Sequence, residues 1–116
     1  MTSLNTFGAI LTYAIELEAR LAAYYQGSSR AADAEKRRGK LERSRRENVL
    51  EITLEAIDGL DAANYAMNLD DRSEAGQRAV EQVAARFYAD VAPKINVREA
   101  QRLLEKCGKE HSALAG

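Results

Sequence analysis

Apolar residues recur along this chain at helical spacing, and no segment alternates with period two, so the pattern predicts helices and no sheet. The first helix begins after Thr2-Ser3 or Asn5-Thr6, both good capping types, and runs to Gln26. Gly27-Ser28-Ser29 then reads as a turn. On a helical wheel Phe7, Leu11, Ala14, Ile15, Leu21 and Tyr25 fall within about 60° of Glu18. A carboxylate therefore sits in the middle of an apolar stripe.

The second helix is expected from Arg30–Asp33 to about Ile57, and its halves differ. From Glu35 to Arg46 there is almost no apolar face, so this half is expected to project or stay wet. From Val49 to Ile57 the helix is apolar over most of its circumference, leaving only the strip of Glu47, Glu51, Glu55 and Asp58 polar. Such a helix needs cover from more than one side, which predicts a homodimer through the second helix. Asp58-Gly59 breaks it, and Asp61 is placed to cap a short turn from Ala62 to Met67. A third helix is expected over Glu74–Val91, with Val80, Val83, Ala84, Phe87, Tyr88 and Val91 facing in and Pro93 ending it. Asn96 followed by Glu99 resembles a capping box for a fourth helix, whose apolar face carries Ala100, Leu104, Cys107, His111 and Leu114. Four helices with short connections predict an all-α, up-and-down four-helix bundle, one domain over residues 1–116.

Composition narrows the classes. A chain of 116 residues with 46% hydrophobic and 30% charged residues can bury a core without staples. A net charge of -1 supplies no global field for nucleic acid or an anionic membrane, so neither is expected as a partner. The single cysteine, Cys107, excludes an intramolecular disulfide and a multi-cysteine zinc site, and reads as a buried, inert thiol. No signal-peptide pattern or membrane-length apolar run is present, and a cytoplasmic setting is expected. No Ser/His/Asp or Cys/His arrangement and no phosphate loop supports a hydrolase or transferase. The basic run Arg30–Arg46 places its charges all round the helix without interleaved aromatics, which describes a solvated helix.

The chemistry centres on Glu18. An unpaired buried carboxylate costs on the order of several kcal/mol, so Glu18 needs a cation, a proton or a metal. His111, the single histidine, also lies mid-stripe, and a direct Glu18–His111 contact would satisfy both groups. There is also a repeat. Glu18 precedes Tyr24-Tyr25 as Glu81 precedes Phe87-Tyr88, with the second aromatic seven residues on in each case. Seven residues are about two turns, so acid and tyrosine share a face, and the chain reads as two helical hairpins in tandem. Tyr25 and Tyr88 either donate to those carboxylates or pack in the core with the hydroxyl outward.

At Ala14-Ile15-Glu16-Leu17-Glu18 through Tyr25, and again in the third helix, the sequence resembles the rubrerythrin-like branch of the ferritin-like superfamily. That resemblance implies a bundle holding two iron or manganese ions between a Glu from each of two helices and a Glu-x-x-His pair from each of the other two. Glu18 and Glu81 match the single-Glu positions. Glu47 matches one pair's Glu, with Leu50 at its His position, and His111 matches the other pair's His, with Gly108 at its Glu position. The expected metal ligands are thus Glu18, Glu47, Glu81 and His111. Two functions stay open: a reduced or remodelled iron or manganese site with redox handling of the metal, or a metal-free helical interaction or scaffold module.

Overall fold

In the computed structural model, which describes residues 4–48 and 57–116, the chain is all-helical. Its contacts divide it into two compact units, Met1–Gly59 and Leu60–Gly116. Each is an antiparallel helical hairpin.

In the first unit, α1 (Phe7–Tyr24) starts where the Thr6 hydroxyl oxygen accepts from the Ala9 amide at 3.0 Å. It ends two residues before the expected Gln26. Gly27, at φ +89°, turns the chain there in a region where other residues are strained. Ser28 then caps α2 (Ser29–Glu47) by accepting from the Arg30 amide. The buried face of α1 is wide and includes Phe7, Ile10, Leu11, Ala14, Leu17 and Leu21. That of α2 is a narrow strip of Ala34, Arg37, Leu41 and Ser44. Their 3-4-3 spacing lays these four side chains along one side of the helix.

Two expectations for the second helix are corrected here. The segment from Glu35 to Arg46 neither projects nor stays wet all round: it packs along α1. Nor does α2 run on to Ile57. Asn48 ends it, leaving helical geometry at φ -113°, ψ 28° and giving both its backbone and its side-chain N–H to the Ser44 carbonyl. The residues 49–56, on which the expected greasy helix and its dimer interface rest, lie outside the described residues. Ile57 is buried, and its amide donates to the Asn5 carbonyl at 2.8 Å.

In the second unit, Asp61 caps a 3-10 turn by accepting from the Ala63 amide, as the sequence predicts, but the turn spans Ala62–Tyr65 and stops short of the expected Met67. The third helix, α3, spans Glu74–Val91 as expected, with Ser73 as its cap. Val80, Ala84, Phe87, Tyr88 and Val91 are buried on it, and Val83 is half-buried. A 3-10 turn, Ala92–Lys94, carries Pro93, and α4 follows over Arg98–Ala115. The cap position falls one residue later than the expected Asn96. Val97 occupies the cap position and its carbonyl accepts the first helical bond, from Gln101, because the 3-10 turn and buried Ile95 leave Asn96 one residue outside the helix.

Two glycines set the packing of this hairpin. A Cβ on Gly76 would lie 2.4 Å from the Asp71 carbonyl oxygen, so the loop crosses the start of α3 only over a glycine. A Cβ on Gly108 would lie 3.0 Å from that of Tyr88, and its absence lets α4 approach α3 closely at that level.

Candidate functional site: two buried acids and their partners

The expected site residues fall into two buried pairs and one surface pair. Glu18, from the middle of α1, is fully buried. Arg37 reaches it from α2, donating Nε–H to Oε1 at 2.8 Å, and is itself 4% exposed. Its place in the strip Ala34–Arg37–Leu41–Ser44 delivers it there. The guanidinium stays charged at any pH the fold survives, so it is a permanent counter-ion for the carboxylate.

Glu81, on α3, is also fully buried, and His111 meets it from α4. His111 Nδ1 lies 2.5 Å from Glu81 Oε1. Two bare lone pairs would repel at that distance, so a hydrogen lies between them. The imidazole is stacked on the Tyr88 ring, with centroids 5.6 Å apart and planes 7° from parallel. Tyr88 thereby fixes the plane in which the ring presents its nitrogen to the acid. Cys107, one turn before His111, is buried as expected.

Glu47 lies elsewhere. It is the last residue of α2, half exposed, and accepts from Arg43 Nε at 2.8 Å across one turn. Leu50, the expected partner position in its motif, is outside the described residues. Among the described residues, no group of three or more His, Cys, Asp and Glu side chains is arranged to hold a metal ion. Glu81 and His111 are thus brought together, whereas Glu18 takes a partner that the sequence reading had placed on a solvated helix. That reading looked to His111 for Glu18. The signal for Arg37 was present in the heptad-like spacing of Ala34, Leu41 and Ser44 around it.

The tandem repeat is visible in three dimensions. The rings of Tyr24 and Tyr25 meet edge-on, 4.9 Å apart at 70°. Those of Phe87 and Tyr88 do the same at 5.1 Å and 70°. In each hairpin the aromatic pair lies two turns beyond a buried acid, and the second helix supplies that acid's nitrogen partner. The second aromatic also faces a nitrogen base in each case: the Arg30 guanidinium lies 5.4 Å from the Tyr25 ring centre, and His111 covers Tyr88.

Fold and site together define a class of structure: tandem helical hairpins, each with one acid neutralised from within. No family model, curated protein or solved structure matches the chain.

Proposed function

We propose that this chain is a metal-free helical interaction module, in which buried charge pairs fix the register of each hairpin. The observation that carries this reading is the Arg37–Glu18 pair. A guanidinium lies against Oε1 at 2.8 Å with both side chains buried, so Arg37 already brings the counter-charge that a metal ion would otherwise supply. Buried pairs of this kind cost desolvation, and their best-attested use is to fix register and partner choice. The proposed setting is cytoplasmic, and the proposed partner set includes a second copy of the chain.

The second reading is a remodelled iron or manganese centre. The observation that favours it is the juxtaposition of Glu81 and His111, two ligand types buried side by side.

Metal counting separates the two. The protein is purified without chelators, soaked with ferrous iron or manganese, desalted and assayed for metal per chain. We expect less than about a tenth of an equivalent, with no change in Glu81→Gln or His111→Gln. One equivalent in the native protein, lost in those variants, would establish the metal centre and overturn the interaction-module reading.

A further inference from the structure

Asp58-Gly59 lies where the chain passes from the first unit to the second, and neither reading of the buried pairs uses it. Both residues are exposed. Just before them Ile57 is buried, with its amide on the Asn5 carbonyl, and soon after them Asp61 caps the next turn. Between these two anchors, neither the Asp58 carboxylate nor the Gly59 amide has a hydrogen-bond partner among the described residues. Gly59 stands at φ +88°, a conformation that any side chain would strain.

The side-chain carboxyl carbon of an aspartate and the amide nitrogen of the next residue can close a five-membered ring. Closure needs a nitrogen not held in a hydrogen bond, a backbone able to turn about ψ, and no side chain beside the attacking nitrogen. Asp33 and Asp90 lie inside α2 and α3, where the following amide is bound in the helix. The side-chain oxygens of Asp61, Asn68 and Asp71 accept from the amides of Ala63, Asp70 and Ser73. Of the aspartates and asparagines in the chain, Asp58 alone is followed by glycine.

We propose that Asp58-Gly59 is a modification site, at which the chain converts spontaneously to isoaspartate. The Gly59 nitrogen attacks Asp58 Cγ and an N–Cγ bond forms. The amide proton, one carboxyl oxygen and a proton from solvent leave together as water, and the product is a succinimide. Water then adds to either ring carbonyl. Addition at Cγ breaks the new bond and restores aspartate. Addition at the main-chain carbonyl carbon breaks its bond to the Gly59 nitrogen, so the chain now runs through the former side chain. Nothing is oxidised or reduced, and the mass is unchanged. The joint between the two units is longer by one methylene and carries a free α-carboxylate. That carboxylate, in an exposed bend, is the group that an S-adenosylmethionine-dependent isoaspartyl methyltransferase esterifies. The site depends on the bend alone and holds under either reading of the buried pairs.

The test uses the full chain, held folded at body temperature and neutral pH for several weeks, with a parallel sample unfolded in urea. Aliquots are dialysed into buffer, labelled with an isoaspartyl methyltransferase and tritiated S-adenosylmethionine, and the tryptic peptide 47–72 is sequenced by electron-transfer fragmentation. Label should accumulate in the folded chain at a rate comparable to that in urea, and the isoaspartate should map to Asp58. Asp58→Glu, whose ring would need one more atom, should lose the label. Asp58→Asn should reach the same ring with release of ammonia, and faster, because an amide is a better electrophile than a carboxylate. Circular dichroism before incubation checks that both variants are folded.

Label at Asp58 in urea but not in the folded chain would show that the anchors at Ile57 and Asp61 hold the bend against closure, and would overturn the proposal. Label that persists in Asp58→Glu, or isoaspartate that arises chiefly at Asp70 or Asp71, would overturn it as well.

Discussion

Replacing Arg37 by methionine tests the first buried pair directly. Methionine keeps most of the volume and the helix propensity but removes the guanidinium, so Glu18 is left in the interior without its 2.8 Å donor. Breaking a buried pair from one side costs about 3–5 kcal/mol, because the penalty is the desolvation of the stranded charge and not the strength of the lost bond. Removing both charges is a different experiment. In Glu18→Leu/Arg37→Met the interior is apolar on both sides, and such replacements range from neutral to stabilising by about 1–4 kcal/mol. The double variant should therefore be at least as stable as Arg37→Met alone, with a coupling energy of about 2 kcal/mol or more. Urea unfolding followed by circular dichroism gives all four corners of the cycle, with a check that the slope is unchanged. An Arg37→Met cost below about 1 kcal/mol, the range of exposed pairs, would refute the argument that burial makes this pair matter. Additive single effects would refute the pairing itself.

The second hairpin should behave in the same way with a smaller penalty. His111→Leu removes the group facing Glu81 and should cost at least about 1–3 kcal/mol for a buried acceptor left without it. Glu81→Leu/His111→Leu should recover part of that in the same urea assay, and a double variant less stable than His111→Leu would count against the pair. Gly76→Ala should destabilise by about 1–3 kcal/mol despite a gain of up to about 1 kcal/mol in helix propensity, since the added Cβ meets the Asp71 carbonyl at 2.4 Å; an unchanged or higher melting temperature would contradict this. Asp71 predicts an acid dependence. The Ser73 hydroxyl and then the Ser73 amide hydrogen-bond its carboxylate and hold its pKa below the usual value. Its contribution is therefore full above the ordinary aspartate pKa and lost as pH falls through the lowered folded value. The stability gap between native protein and Asp71→Asn should be present at pH 7 and close towards pH 3, and a gap independent of pH would contradict it.

Where burial and helical period agree, the sequence was a good guide. The bounds of α3, the caps at Thr6 and Asp61, the turn at Gly27 and the burial of Glu18 and His111 all follow from it. The second helix was less legible for a physical reason. Two of the four residues it buries are Arg37 and Ser44, so a reading based on apolar side chains finds no face there. Its end was hidden as well, because Asn48 stops α2 through hydrogen bonds to Ser44 while the residues on either side still favour helix. The burial of Glu81 was not legible from its own helix, since the partner that admits it, His111, lies thirty residues on.

A carboxylate in an apolar stripe states that positive charge or a proton must come to it, and leaves the source open. Glu18 and Glu81 occupy equivalent places, each two turns before an edge-on aromatic pair, yet their partners differ: an arginine on α2 and a histidine on α4. If shared metal ligation were the reason for the repeat, the element held constant would be the ligand set facing both acids. What recurs instead is the hairpin geometry, with acid and aromatic pair on the first helix and a nitrogen donor or acceptor on the second. The partner's chemistry differs between the two hairpins, while in each the acid is answered from within its own hairpin. That pattern is what register specification requires, because it fixes how two helices slide against each other and leaves their outer faces available. It supports placing the working surface of the protein outside the buried pairs.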